Sequence, residues 1–210
     1  MQVPNYAREV VVYNQDRCDM NNKERIIKSY QELDRSYFME EYKECANMNV
    51  PFPIGHGQTI SQPSLVLEMT LLLDPHEDSK VLELGTGSGF QTALLAKCSK
   101  IVYTVERIRD LHLKAKARLG KAGYENIEFK LDDGNLGWEE YAPYDRIMVT
   151  AAAHRLPEEL IEQLVPGGKM LIPVGPDLVQ ELLVVTKTAD GAIEKQVKGE
   201  VSFVPLIGQY

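Results

Sequence analysis

From residue 80 onward the chain alternates short apolar runs with longer amphipathic ones, and few folds accept that rhythm. KVLEL, IVYTVE, IEFKL, YDRIMVTA and KMLIPVG have the length and composition of buried strands. Between them, FQTALLAKC, IRDLHLKAKARLGKAG and LPEELIEQL read as helices. Repeated strand–helix–strand units make a parallel sheet with right-handed crossovers and helices on both faces. The last stretch breaks the rhythm: QELLVVTKTADGAIEKQVKGEVSFVPL holds strand-like runs joined by ADG, a hairpin signal. The expected fold is α/β, a doubly wound, mostly parallel, Rossmann-like sheet closed by antiparallel C-terminal strands.

Ahead of the sheet, NNKERIIKSYQELDRSYFMEEYKECANM sets Ile26, Ile27, Tyr30, Leu33, Tyr37 and Phe38 at helical spacing, with Asn21 or Asn22 as the cap. NVPFPIGHGQTISQP, with three prolines and two glycines, predicts an ordered loop without regular structure, feeding the helix SLVLEMTLLL. Loops of that length inside compact domains tend to be functional. The expected organisation is one domain over 1–210: a helical segment over 1–50, an active-site loop over 51–63 and a ligand-binding α/β core over 80–210.

In such sheets a ligand sits beyond the carboxyl ends of the strands, where their order reverses. The first strand runs into VLELGTGSGF, whose Gly85, Gly87 and Gly89 are spaced G-x-G-x-G and not G-x-G-x-x-G. That string alone does not separate a ligand site from a tight strand-to-helix turn. The second strand ends at Glu106, about twenty residues on, where the fold places a carboxylate to accept ribose hydroxyls. The third ends in KLDDG, bringing Asp132 and Asp133 to the same edge. Each has a plainer reading, a strand-end charge or an Asx turn. Their coincidence at three consecutive strand ends points to a nucleoside. Pyrophosphate favours helix dipoles and cations, whereas this cleft gathers Glu83, Glu106, Asp132 and Asp133 with no Lys or Arg inside the turn. A phosphate-free nucleoside with a positive centre fits, namely S-adenosyl-L-methionine (AdoMet), and methyl transfer is the predicted chemistry.

Charge and cysteine usage narrow the partners. A formal net charge of -8 argues against a surface that neutralises nucleic-acid phosphates or anionic lipid. No run is long enough to span a bilayer, and MQVPNYAREVVVYNQDR carries charges where a signal peptide keeps an apolar core. Cys18, Cys45 and Cys98 are scattered and odd in number, which suits reduced cytoplasmic thiols better than disulfides or a metal cluster.

The loop PFPIGHGQTISQP, followed in order by VLELGTGSGFQTALLA, VYTVERI, APYD, VTAAA, LIEQLVPGGKMLIPVG and FVPLIG, resembles the protein-L-isoaspartate O-methyltransferase family. DRSYFM, with Asp34, Arg35 and Phe38, fits the family's lead-in, so the resemblance runs from about residue 34 to the C-terminus. It implies the AdoMet methyltransferase fold with an N-terminal helical segment. It further implies that Gly85, Gly87 and Glu106 bind AdoMet, with Ser88 and Asp133 beside it and Glu83, Thr86, Arg107 and Gly134 in the same set. Ser61 becomes the active-site serine, with Thr59 and Ile60 shaping the substrate loop. The implied reaction is methyl esterification of the free α-carboxylate of L-isoaspartyl residues, releasing S-adenosyl-L-homocysteine. The ester closes to a succinimide whose hydrolysis returns some normal aspartate. The expected partners are isoaspartyl peptides and proteins, without nucleic acid or membrane, and the expected form is a cytoplasmic monomer.

A carboxyl with an ordinary pKa of about 4 is already ionised at neutral pH and needs no general base. What it needs is in-line placement, which contributes roughly 7–11 kcal/mol in favourable cases. Ser61 therefore reads as a hydrogen-bond donor that orients the carboxylate and not as a nucleophile. The alternative is that Ser61 is only an ST-turn or the cap of the following proline-started helix. His56 is not required as a base and reads as a packed or solvated side chain, while Gly55 and Gly57 give a substrate backbone room to approach. Val149–Ala153 offers small side chains either for a peptide or for close packing, and Trp138 reads as a core or loop anchor. Two departures from the family pattern touch the substrate side and the adenine pocket: Asp132 where the family has glycine, and Ser64 after SQP. Rival readings are an aspartate methyltransferase for one dedicated modified peptide and a non-catalytic AdoMet-binding module. The chain closes at Tyr210 soon after FVPLIG, which favours the general substrate.

Overall fold

The computed structural model describes residues 20–207. Cys18, the charged N-terminal stretch and Gly208 of FVPLIG lie outside the described residues.

A seven-stranded sheet carries the fold. Its strands are β3 (Lys80–Leu84), β4 (Ile101–Glu106), β5 (Ile127–Leu131), β6 (Tyr144–Val149), β7 (Leu164–Val174), β8 (Gln180–Lys187) and β9 (Ile193–Val201). They lie in the order β5-β4-β3-β6-β7-β8-β9. The first five are parallel, and β8 and β9 add antiparallel at one side, as the ADG turn predicts. Parallel strands buried on both faces need apolar residues at every position, and these strands divide theirs between two cores. Leu82, Leu84, Val105, Ile147, Val149, Met170 and Val185 point into one core, with Trp138 and Leu160. Their neighbours Val81, Val102, Met148, Leu171 and Val184 point into the other, with Met69 and Leu95.

Four helices link and cover the sheet: α2 (Pro63–Leu73), α3 (Phe90–Cys98), α4 (Arg109–Lys121) and α5 (Glu158–Glu162). The N-terminal segment packs over α2, α3 and α4 through a third core of Ile26, Tyr30, Phe38, Val66, Leu67, Phe90, Leu94 and Leu119. Its helix α1 spans Met20–Gln31 and not the whole apolar-periodic stretch. Asp34 ends it by accepting from the Ser36 N–H (2.9 Å) and Ser36 hydroxyl (2.7 Å), which starts a 3-10 turn over Arg35–Phe38. A second such turn follows over Lys43–Cys45, and Tyr37, expected on the apolar face, is exposed. Asn21 and Asn22 fall inside α1 and not at its cap. The Asn22 amide instead donates to the Asp74 carboxylate (2.6 Å) and the Pro75 carbonyl (3.2 Å), tying α1 to the end of α2.

Residues 51–63 also correct an expectation. The predicted irregular loop holds a two-stranded antiparallel hairpin, β1 (Phe52–Gly55) and β2 (Gln58–Ile60), with Phe52 opposite Ile60 and Pro53 opposite Thr59. The prolines hide the alternation, but Phe52, Ile54 and Ile60 still turn inward. His56 and Gly57 both take positive φ (55° and 69°), the sign pattern of the tight turn that matches strand twist.

Candidate active site

Between β3 and β6 the strand order reverses, since β4 and β5 lie to one side and β7 to the other. The hollow above that point has three walls. Gly85 to Ser88 and Glu106 form the floor, Gln58 to Ser61 of the hairpin form a flap, and Val204 to Ile207 close the back.

The glycine turn explains itself at Gly85. Its φ is +97°, and a Cβ there would collide with the Thr150 hydroxyl. That hydroxyl lies 2.9 Å from the Leu84 carbonyl and 2.7 Å from the Gly85 carbonyl, so the end of β6 fastens the turn leaving β3. Thr150 was not singled out from the sequence; its small, β-branched, hydroxylic side chain at a strand end facing the glycines was the available signal.

Glu106 is buried at the tip of β4 and bridges two backbone N–H groups, Gly87 on one oxygen (2.9 Å) and Ile108 on the other (2.9 Å). Each oxygen retains a lone pair for a further donor. Asp133 lines the hollow too, and its Oδ1 accepts from the Asn135 N–H (3.1 Å), so it makes the turn contact without leaving the lining. Thr86, Ser88 and Arg107 complete the expected lining.

Three residues expected at the cleft lie elsewhere. Glu83 is fully buried beneath the floor, because β3 has no solvent face and its inward position falls between β4 and α3. Thr92 and Thr104 hydroxyls donate to its Oε2 (2.6 Å each), and its Oε1 has no hydrogen-bond partner among the described residues. Burial pushes its pKa up to about 8 against the pull of those two hydroxyls. Thr104 also contacts the Thr86 hydroxyl (2.6 Å), which links the buried acid to the floor. Gly134 packs against Leu84 and Val105 below the lining. Asp132 faces out and pairs with Lys130 at 2.5 Å. Of the four acids expected in the cleft, Glu106 and Asp133 line it, and Arg107 is the single cation of the lining among the described residues.

A second hollow, an open groove, lies on the far side of the flap between α2 and the segment 198–204. The two hollows share Thr59, Ser61, Thr150 and Val204. Ser61 stands at this junction. The N-cap of α2 is Gln62, without a side-chain cap, and the Ser61 hydroxyl makes no hydrogen bond among the described residues. The capping alternative for Ser61 is thereby removed.

The remaining candidates separate cleanly. His56 sits at the hairpin tip, 3.0 Å from the Asp110 carboxylate, outside both hollows. Ala151 lines the first hollow, and both Ala151 and Ala153 belong to the first core. Trp138 is a core residue against Tyr103 and Tyr141. The C-terminal wall, Val204 to Ile207, is held by Ala152: its N–H donates to the Val204 carbonyl (2.8 Å) and its carbonyl accepts from Leu206 (2.7 Å). Cys45 and Cys98 are free thiols.

The family model for protein-L-isoaspartate(D-aspartate) O-methyltransferase matches residues 7–210. A protein-L-isoaspartate O-methyltransferase from Dictyoglomus thermophilum is 49% identical over 188 residues, 89% of this chain and 85% of its own length. A second, from a Polaromonas species, is 53% identical over 165 residues, 78% of either chain. A solved protein-L-isoaspartate O-methyltransferase superposes with a TM-score of 0.81 at 25% identity, covering 96% of this chain and 64% of its own. A structure described as a β-aspartate methyltransferase from Plasmodium falciparum, in complex with S-adenosyl-L-homocysteine, superposes with a TM-score of 0.77 at 25% identity over 97% of this chain and 95% of its own. The chain belongs to the protein-L-isoaspartate(D-aspartate) O-methyltransferase family.

Proposed function

We propose that this protein methylates the free α-carboxylate of L-isoaspartyl residues in damaged proteins and peptides, using AdoMet and starting their return to aspartate through a succinimide. The observation that carries this reading is the Ser61 hydroxyl, which makes no hydrogen bond among the described residues and stands where the hollow beside the glycine turn meets the open groove. The relatives' names describe the same activity.

The residues of the first hollow fit AdoMet. The glycine turn admits a ligand close to the backbone, Glu106 has lone pairs left for ribose hydroxyls, and among the described residues two carboxylates face one cation where a positively charged ligand would lie. Thr86, Gly87, Ser88, Arg107 and Asp133 complete that set. Bound AdoMet supplies an electrophilic methyl on its sulfonium. The chain's own part is to orient. Ser61 donates its hydroxyl hydrogen to one oxygen of the incoming carboxylate, and the other oxygen is left to attack. No side chain has to remove a proton, since the carboxylate arrives ionised. Thr59 and Ile60 hold the flap on which Ser61 rides, with Ile60 anchored in the N-terminal core.

Ser61→Ala tests the reading. It should lower kcat on an isoaspartyl peptide by about 100-fold, the usual consequence of losing one oriented donor, and leave AdoMet affinity unchanged in calorimetry. Full activity would return Ser61 to a structural role. The reading also takes the chain as a single-domain monomer acting in the cytoplasm; three cores sharing one sheet support the single domain. No helix among the described residues is long and apolar enough to cross a membrane.

A further inference from the structure

Arg35 is buried at the start of its 3-10 turn, and its guanidinium gathers five backbone carbonyls. Nη1 reaches Ala46 (3.1 Å) and Met48 (3.2 Å), and Nη2 reaches Val50 (2.9 Å), Ile60 (3.4 Å) and Ser61 (3.0 Å). The Phe52 ring lies against the guanidinium carbon, 5.5 Å from centroid to carbon. Three of these carbonyls belong to the irregular run leading into the hairpin and two to the residues leaving it. Apart from Ile60, which lies in β2 opposite Phe52, the residues that carry them lie outside the strands and helices, and a buried carbonyl without a donor is costly. A planar fork with five N–H groups can hold such a set together; an ammonium cannot.

The consequence reaches the site through Ser61. Its hydroxyl has no hydrogen bond among the described residues to steady it, so its direction follows from its backbone. On its C-terminal side that backbone is fixed by α2, whose Val66 N–H donates to the Gln62 carbonyl (3.2 Å). On its other side it is fastened by the pairing of Ile60 with Phe52 in the hairpin and by Arg35, on the carbonyls of Ile60 and of Ser61 itself. We propose that Arg35 is a positioning residue for methyl transfer: its guanidinium fixes the Ser61 backbone and so aims the Ser61 hydroxyl at the substrate carboxylate. This rests on the role given to Ser61 above. Arg35 touches neither hollow, and its effect on the floor residues that meet AdoMet is therefore small.

Arg35→Lys keeps the charge and loses the fork. It should lower kcat on an isoaspartyl peptide by about tenfold or more, since displacements of about an ångström at a reacting group are felt on that scale. The dissociation constant for AdoMet should stay within about twofold of the parent, as expected of a distant site. The decisive comparison is a double-mutant cycle with Ser61→Ala. If Arg35 acts through Ser61, Arg35→Lys costs little further in the Ser61→Ala background. Undiminished kcat, an equal loss of AdoMet affinity, or two effects that simply multiply would each overturn the proposal. Should the lysine variant not fold, Arg35→Met keeps the side chain's length without its buried charge and carries the same three measurements. Parent protein that does not methylate the peptide would defeat the proposed function instead, so the two failures are distinguishable.

Discussion

Glu106 ends β4 and Glu83 lies inside neighbouring β3, twenty-three residues earlier, and their environments give them opposite roles. Glu106 holds the glycine turn through Gly87 and offers its spare lone pairs to the hollow. Glu106→Ala removes an ionic acceptor of ligand hydroxyls, a loss of about 1.5–3 kcal/mol, and calorimetry should show AdoMet bound roughly tenfold or more weakly at that scale. Glu83 is sealed from water, and its folded-state pKa of about 8 lies above the ordinary 4.5. Its neutral form is therefore the folded one. The resulting stability is complete below pH 4.5 and is lost as pH rises through about 8. Glu83→Gln cannot ionise, so the Tm of the parent should fall relative to that of the variant across this window, with the slope diagnostic whatever the offset. Parallel curves would mean that Glu83 is ionised in the fold. The role of Glu106 could be read from its position at a strand end. That of Glu83 could have been read as well: a carboxylate inside a strand with no exposed face must find its partners within the protein, and Thr92 and Thr104 are the hydroxyls at hand. The role of Arg35 could not, because the carbonyls it holds lie up to 26 residues away.

At the level of elements, the β–α alternation was readable because each unit is local: a buried strand, a short turn, a helix. The glycine turn belongs to that class, although its reason is not local. Gly85 has to lack a Cβ because Thr150, arriving from β6, occupies the space. Gly85→Ala should destabilise the fold by about 1–3 kcal/mol from the strained φ alone, measured by urea denaturation, and should weaken AdoMet binding by displacing the floor. A variant as stable and as tight-binding as the parent would remove the glycine argument. The hairpin of β1 and β2 escaped the sequence because Pro51 and Pro53 mask a strand signal, although GHG between apolar residues is a turn signal of the same weight. The C-terminal wall escaped for another reason. Val204 to Ile207 reach the hollow by pairing with Ala152, a contact between segments about fifty residues apart that no local pattern announces.

Across the whole molecule, the sheet brings a ligand-binding floor to its carboxyl edge, and the N-terminal segment brings a flap with a serine over it. Neither half makes a transferase alone. In the function proposed above, the floor holds the donor and the flap selects the acceptor, with Ser61 on the border between them. The acceptor choice is the central claim, and transfer of labelled methyl from AdoMet to paired synthetic peptides tests it most directly. One peptide carries L-isoaspartate and the other carries L-aspartate at the same position. Label should enter the isoaspartyl peptide as a base-labile ester and leave the aspartyl peptide unlabelled. Equal labelling of the two, or none in either, would contradict the account.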